Sequence, residues 1–365
     1  MKKSLLAIAA MAAASGAFAQ SSLQIDGILD AGVQRIDYKG TTVTGIGGNG
    51  SSTSQINFRG TEDLGGGLSA RFRVETDWNV VSNKANTGTT AASGAAPVTG
   101  STFGNGEIRV GVAGAFGALD LGSVNYNTLG TYGVGQPFGT AIGSGFRAVA
   151  INDAASTSSV RAENALKYVS PNFSGVTVSL YKSFKQTKAG TGVAADGNYS
   201  STLGAYDQYG VQELGLNYAG GPLAASFSTL KQDNEEVGAG TAPDYTVNTL
   251  GVNYNFGTAK AFFLYQTVKG EGVRESKLMT LSGTYTLGAT VLMAQVGSLN
   301  DDVQDKKDKM ISFGADYNLS KRSAVYVRYE SIDDKLNYAK NPGSIAGTAG
   351  ETTRTRTAIG VRHSF

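Results

Sequence analysis

The sequence predicts an all-β protein, a 16-stranded antiparallel β-barrel that crosses a membrane with its strands. Three features favour this fold. Apolar and polar residues alternate in short segments along the whole chain, charged residues recur on the polar parity, and short connections alternate with long ones. A period of two indicates a strand whose two faces meet different surroundings. Charges at every second position need water on one side, while the apolar face meets a lipid-like environment.

The first 19 residues have the pattern of a secretory signal peptide. Lys2 and Lys3 precede an apolar run, and Ala17–Ala19 is a small-x-small cleavage site. The apolar run is too short to span a bilayer, which disfavours a membrane anchor. We therefore expect residues 1–19 to be removed and residues 20–365 to form one barrel domain, since no linker or change of composition divides them.

The composition suits a large exported β protein. Fifty glycines, six prolines and 17 tyrosines fit extended strands joined by tight turns, and the absence of cysteine excludes a disulfide or thiolate–metal framework. The full chain has a formal net charge of +2, and 29 basic residues remain against 29 acidic ones once Lys2 and Lys3 leave with the signal peptide. A neutral protein offers no electrostatic basis for binding nucleic acid.

Sixteen strands can be placed in order along the chain. Each sets apolar residues against polar ones on the other parity; in Leu68–Trp78, for example, Phe72 and Val74 alternate with Arg71 and Arg73. Closed bacterial barrels require an even number of strands. Lys260–Thr267 alternates least clearly. The predicted strands are Leu23–Gln34, Ser54–Thr61, Leu68–Trp78, Glu107–Val112, Leu119–Gly122, Glu163–Tyr168, Val176–Tyr181, Val211–Tyr218, Leu223–Leu230, Tyr245–Tyr254, Lys260–Thr267, Lys277–Tyr285, Ala289–Gly297, Met310–Tyr317, Ala324–Glu330 and Thr353–Phe365.

The connections fall into two classes that alternate. The long ones include Asn79–Thr102, Lys185–Tyr209 and Ser331–Thr352, and the short ones are Asp63–Gly67, Gly114–Gly117, Ser170–Gly175, Ala219–Pro222, Asn255–Thr258, Thr286–Gly288 and Asn318–Ser323. This places every short turn at one end, as in outer-membrane barrels with periplasmic turns and long outer loops. A soluble sandwich or propeller predicts neither this alternation nor a charged face on each strand. Tyrosines near the short turns predict an aromatic girdle at one interface: Tyr168, Tyr218, Tyr254, Tyr285, Tyr317 and Tyr329.

One connection stands apart from the rest. About 36 residues, 125–160, show no sustained period between the strands Leu119–Gly122 and Glu163–Tyr168. Loops this long without structure are uncommon and are usually functional. Extended, such a segment could cross a barrel and return, because about 36 residues span about 100 Å.

The chain resembles the trimeric general porins of Gram-negative outer membranes, in the beta-proteobacterial branch. The most specific matches are Leu23–Gly32 (LQIDGILDAG), Phe58–Ala70 (FRGTEDLGGGLSA), Glu163–Gly175 (ENALKYVSPNFSG) and Gly360–Phe365 (GVRHSF). The resemblance implies a homotrimer of 16-stranded barrels in which the third outer loop, here residues 125–160, folds inward and narrows the pore. It also implies that the outer-membrane insertion machinery recognises Phe365, and that membrane lipid and lipopolysaccharide surround the protein.

The polar parity supplies candidate pore-lining and constriction residues. They are Arg59, Arg71, Arg73, Arg109, Asp120, Arg161, Glu163 and Lys167 on the strands, with Arg147 and Asp153 in the loop. Four arginines, Arg59, Arg71, Arg73 and Arg109, lie on three consecutive strands and stay protonated at any working pH. They predict a weak preference for anions, unless they pair with neighbouring acids. The loop adds no net charge, because Arg147 and Asp153 balance.

Other patterns carry less weight. Residues 45–50 fit G-x-G-x-x-G but lie in a polar loop without the strand and helix that dinucleotide binding requires. Asp301–Lys309 is expected to be a solvated loop, with a divalent-cation or lipopolysaccharide contact as the alternative. His363 lies on the apolar parity, poorly placed to activate a lumenal serine. No His/Asp/Glu cluster has metal-ligand spacing, and no cofactor is expected.

The sequence therefore predicts an outer-membrane porin for passive diffusion of small hydrophilic solutes and ions, and not an enzyme. A solute-specific channel is the runner-up, and it would show a track of aromatic or paired charged residues along the lumen. An outer-membrane barrel enzyme is a further alternative, which needs an interfacial nucleophile and base. Because Gly122 and Ser179 lie on the polar parity, arginine in place of either residue is expected to be tolerated and to alter the conductance.

Overall fold

The computed structural model describes residues 22–38, 40–80, 84–85, 103–145, 160–184, 210–233, 244–270, 274–336 and 353–365. Nearly all of them are in strands, with one helix, α1 (Asn127–Gly135). The strands are β1 (Ser22–Tyr38), β2 (Thr41–Gly47), β3 (Gln55–Gly65), β4 (Leu68–Asn79), β5 (Lys84–Ala85), β6 (Ile108–Gly114), β7 (Gly117–Asn125), β8 (Arg161–Val169), β9 (Val176–Ser183), β10 (Gly210–Gly220), β11 (Leu223–Asp233), β12 (Tyr245–Asn255), β13 (Ala259–Gly270), β14 (Arg274–Leu287), β15 (Thr290–Asp301), β16 (Lys306–Asn318), β17 (Ser323–Asp333) and β18 (Thr353–Ser364).

The strands form a closed 16-stranded antiparallel barrel. Each of its strands pairs with its neighbour in the chain, and β18 returns to β1 through eleven pairs from Ile28↔Ser364 to Tyr38↔Arg354. Closure leaves no edge strand, so every backbone group in the wall can be paired. The strands β2 and β5 lie outside the count of 16: β2 pairs with the outer part of β1, and β5 adds two pairs to β4. The predicted fold class is confirmed.

The two faces of the wall differ as the alternation predicts. Large apolar side chains on one parity are exposed on strand after strand, for example Val110, Leu121, Leu281 and Ile359. The opposite parity is rich in buried polar and charged groups, such as Asp120 and Glu330. In a closed barrel one parity faces out and the other faces the interior. The apolar parity is thus the outer, lipid-facing one and the polar parity is lumenal.

Short turns join the strands at one end. Strand pairs meet there through the predicted tight connections, with positive φ at Gly66, Gly117 and Gly288 where the chain reverses. Tyr218, Tyr254, Tyr285 and Tyr317 are exposed near these turns. The girdle prediction fails in one member, because Tyr329 lies well inside β17, where its ring packs 6.3 Å from that of Phe313.

The structure corrects three local expectations. The first strand is longer than Leu23–Gln34: β1 continues to Tyr38 and forms a hairpin with β2, so Gly45–Gly47 belong to a strand instead of a loop. Gly122 has φ +138°, and a Cβ there would come within 2.2 Å of the Ile108 carbonyl oxygen, so it does not tolerate a larger side chain. Ser179 is also buried, at 2% exposure.

The third correction concerns Glu163. The pairing of β7 with β8 shifts register between Gly122 and Val124, and Asn164 adopts a left-handed φ of +50°. A bulge of this kind moves the following side chains to the other face. Ala162 and Ala165 are consequently both buried although they are three residues apart, so the strict alternation that placed Glu163 on the parity of Ala165 is interrupted at the bulge.

The predicted unstructured loop begins with regular structure. α1 follows β7 directly and packs against β10, β11, β12 and β13. Its sequence, NTLGTYGVG, holds three glycines and little helical periodicity, which explains why the helix escapes prediction. Among the described residues, no helix is long and apolar enough to span a bilayer.

Candidate functional site: the polar interior of the barrel

Three of the four predicted arginines meet in one network with three acids. Arg71 donates two hydrogen bonds to Asp120, at 2.8 and 2.6 Å, and Arg109 donates to the same carboxylate at 2.7 Å. Arg73 pairs with Glu75 and, at 2.7 Å, with Glu107. The strand order β3–β4–β6–β7 brings these side chains together, because they share the lumenal parity on neighbouring strands.

Arg59 belongs to a second, smaller group. Its guanidinium lies 2.9 Å from Asp26 on β1, and Asn57 donates to that carboxylate as well. Each of the four arginines therefore has an acidic partner. The acids Asp26, Glu75, Glu107 and Asp120 balance the four arginines in number, so these eight side chains together carry no net charge.

The members of these ion pairs are not equally exposed. Arg59 keeps 45% of its side-chain area exposed against 22% for Asp26, and Arg71 keeps 27% against 5% for Asp120. Arg109 and Arg73 are also more exposed than their carboxylate partners. The guanidinium groups thus lie on the water side of the network, and the carboxylates lie closer to the wall.

Two further predicted residues lie beside this network on β8: Lys167 is opposite Asp120 of β7, and Arg161 lies 3.9 Å from Asp77 of β4. Lys167 donates from Nζ to the Asn125 carbonyl at 2.8 Å, and Arg161 donates to the Asn105 carbonyl at 2.8 Å. Both help to hold the chain where β7 leaves the wall for α1. Arg147 and Asp153 lie outside the described residues.

Two further buried acids were not among the candidates that the sequence supplied. Glu213 on β10 accepts hydrogen bonds from the Asn127 amide, the Thr128 amide at 2.7 Å and the Thr128 hydroxyl at 2.6 Å. A carboxylate at this position satisfies the first amides of α1 and interacts favourably with the helix dipole. Its own segment, VQELGLNY, places a lone acid on the lumenal parity, which is the signal that could have found it.

A second buried acid holds the end of the same segment. Glu330 on β17 accepts hydrogen bonds from the Gly143 and Gly145 amides, both at 3.0 Å, and pairs with Arg354 and Arg356 on β18. Its side chain is fully buried. Residues 127–145 are therefore attached at both ends to lumenal carboxylates, first on β10 and then on β17.

Phe365 closes the barrel at the end of the last strand. Its amide and carbonyl exchange backbone hydrogen bonds with Gly27 on β1, at 3.0 and 3.2 Å. The ring lies where a side chain on Gly27 would be, since a Cβ there would come within 2.6 Å of Phe365 Cζ. Nearby, His363 Nδ1 lies 2.9 Å from the Ser323 hydroxyl on the outward parity, not in the lumen. No group of three potential metal ligands occurs among the described residues.

Together, an apolar outer band, a closed 16-stranded wall and a charged polar interior define a barrel of the outer-membrane channel class. The family model for Gram-negative porins matches residues 6–337, and the chain belongs to that family. It is an outer-membrane porin.

Known porins match this chain along all or nearly all of its length. Outer membrane porin protein 32 of Delftia acidovorans is 34% identical over the whole of both chains, and a major outer membrane protein, P.IB, of Neisseria meningitidis is 24% identical over the whole of both. Among solved structures, an anion-selective porin from Comamonas acidovorans superposes with a TM-score of 0.76 at 29% identity, covering 95% of this chain and all of that one.

Proposed function

We propose that this porin prefers small anions weakly and that residues 127–145 narrow its passage. The proposal extends to a homotrimer set in outer-membrane lipid and lipopolysaccharide, as family membership suggests, with Phe365 read by the insertion machinery. We propose a channel and not an enzyme, because the relatives are porins. A general channel is favoured over a solute-specific one, and the removal of residues 1–19 is part of the same proposal.

The observation that carries the anion preference is the unequal exposure of the ion pairs. A passing ion meets the guanidinium groups of Arg59 and Arg71 before it meets Asp26 and Asp120. For an anion about 5 Å from a guanidinium and about 8 Å from its carboxylate, the net attraction is about 0.3 kcal/mol at the dielectric constant of water and about 1.2 kcal/mol at an effective value near 20. That corresponds to an enrichment of the anion, relative to a neutral solute of the same size, between about twofold and about eightfold.

The balance of charges limits the size of the preference. Because the four arginines have four acidic partners, the field is that of paired dipoles and decays quickly with distance. Salt screens it further, with a Debye length of about 10 Å at 0.1 M. The similarity to an anion-selective porin from Comamonas acidovorans supports the same sign.

The contacts of residues 127–145 support their role in narrowing the passage. The segment leaves the wall after β7, packs along the lumenal face of β10–β13 and is held at Glu330 on β17. Tyr132 of α1 belongs to one buried cluster with Leu264 of β13, Leu278 of β14 and Leu299 of β15, so apolar contacts fill the space behind the helix. A segment held by these contacts is expected to occupy part of the cross-section of the barrel.

The experiment is the reversal potential of single channels in a planar bilayer under a potassium chloride gradient. We expect mild anion preference in the unchanged channel, a loss of it in Arg59→Gln and an increase in Asp26→Asn, because the two changes remove opposite members of one pair. Arg35→Gln is the matched control, since Arg35 pairs with exposed Asp37 on the outward parity and should leave selectivity unchanged.

Cation preference in the unchanged channel would contradict the proposal, as would equal reversal potentials for Arg59→Gln and Asp26→Asn. Conductance steps in groups of three equal sizes are expected for a trimer, whereas single steps would indicate independent barrels.

A further inference from the structure

A short segment of the first loop also enters the barrel. β2 ends opposite Gly32 of β1, and β3 begins opposite Ile28. Residues 48–54 therefore connect two strands whose partner residues on β1, Gly32 and Ile28, are only four positions apart. Seven residues are too many to lie within the plane of the wall over this distance. The side chains that they contact belong to the lumenal parity.

Asp30 of β1 holds this segment. Its carboxylate is fully buried and accepts hydrogen bonds from the Ser51 and Ser52 amides, both at 2.8 Å, and from the Tyr326 hydroxyl at 2.6 Å. Ser54 adds two further bonds between its hydroxyl and the Asp30 backbone. A buried carboxylate with this many donors fixes the position of the backbone that supplies them.

Two contacts carry the segment across β18 to β17. Gly50 lies on the Tyr326 ring, where a Cβ would come within 2.3 Å of the hydroxyl oxygen, and Arg328 donates to the Ser51 hydroxyl at 2.9 Å. Tyr326 also packs against Ile142, which comes from the segment 127–145. The first-loop segment and the third-loop segment thus share one support on the wall.

The two segments also touch directly. The Thr53 hydroxyl lies 3.1 Å from the Thr140 hydroxyl. Asn49 is exposed, and Ser51, Ser52 and Thr53 are half-buried. These uncharged side chains thus keep part of their area exposed, while the Asp30 side chain beside them is fully buried.

We propose that residues 49–54 form a second inward element of the pore, positioned by Asp30, and that Thr53 lines the passage beside Thr140. This inference rests on the proposed narrowing by residues 127–145. Those residues cover the wall from β10 to β17, and residues 49–54 continue the cover to β1. The passage then runs between an uncharged rim of hydroxyl groups and the wall from β3 to β8, which carries Arg59, Arg71 and Arg109.

The absence of cysteine from the chain makes a direct test possible. In Thr53→Cys, a negatively charged methanethiosulfonate should lower single-channel conductance by roughly a quarter or more and shift the reversal potential towards cations, since charge in a narrow pore acts strongly. A positively charged reagent should shift it towards anions. Thr44→Cys on exposed β2, opposite outward-facing Arg35, is the matched control and should react without either effect.

A second variant tests the position of the segment. Cysteines at Thr53 and Thr140 should form a disulfide on mild oxidation, because hydroxyl oxygens 3.1 Å apart are compatible with disulfide geometry. Adding Asp30→Asn should slow this cross-linking severalfold, because Asp30 positions the segment that carries Thr53. The amount of folded protein is measured separately by heat-modifiable mobility, so that slower cross-linking is not confused with loss of folded barrel.

The outcomes separate the two proposals. If Thr140→Cys responds to the charged reagents and Thr53→Cys does not, the narrowing by residues 127–145 stands and the second element is refuted. If neither position responds, both are refuted. Failure of the Thr53–Thr140 disulfide in a folded barrel would also overturn the inference.

Discussion

The attachment of residues 127–145 at Glu330 gives the sharpest prediction. Glu330→Gln keeps the shape of the side chain but removes its charge. The present carboxylate accepts from the Gly143 and Gly145 amides with one oxygen and from Arg354 and Arg356 with both. A glutamine retains one acceptor oxygen, and its amide group presents hydrogens to partners that are themselves donors. Either the loop amides or the arginines must then lose their acceptor.

The expected cost follows from the burial of these groups. Arg354 is 5% exposed in its side chain, and removing one partner of a buried ion pair costs about 3–5 kcal/mol. If the loop takes about 3 kcal/mol of this loss, the equilibrium between attached and released loop shifts by about a hundredfold. We expect current noise and brief closures in Glu330→Gln channels, together with a lower unfolding temperature in detergent.

Planar-bilayer recording and heat-modifiable mobility on gels provide the assay. Glu62→Gln is the control, because Glu62 is an exposed carboxylate on β3 and its loss should change neither property. Quiet, full-size openings and unchanged thermal stability in Glu330→Gln would refute the idea that this carboxylate holds the loop.

Two further predictions concern the wall. Deletion of Phe365, or Gly27→Leu, should leave aggregated or degraded chain in place of heat-modifiable barrels, because the Phe365 ring occupies the space beside Gly27. The control variant Phe365→Tyr should assemble. A normal yield of barrels from the deletion would show that this contact is dispensable. Gly122→Ala should destabilise the folded barrel by about 1–3 kcal/mol, since φ is +138° and the Ile108 carbonyl blocks a Cβ. Gly130→Ala in α1, where a Cβ would meet nothing within 4 Å, should change stability by less than about 1 kcal/mol, and equal thermal shifts for the two variants would refute this reasoning.

Several features could be predicted from the sequence because they follow from local alternation. The 16 strands of the barrel, the outward position of residues such as Leu121 and the lumenal parity of Arg71, Arg73 and Arg109 all depend on a period of two that the chain repeats. A barrel in a membrane must separate an apolar face from a polar one, so each strand by itself shows the alternating pattern. The tight turns follow from glycine-rich connections in the same local way.

The tertiary structure alone decided which charges meet. Parity put Arg71 and Asp120 on the lumenal face, but their hydrogen bonds depend on the register of β4, β6 and β7, which no local pattern encodes. The break in alternation beside Glu163 arises from a single bulge at Asn164. The helix α1 depends on Glu213, contributed from 86 residues further along the chain than Asn127, and the inward turn of residues 49–54 depends on Asp30 and Tyr326. Contacts between residues this far apart in sequence are fixed by closure of the barrel, which is why the outline of the wall could be predicted while the contents of its lumen could not.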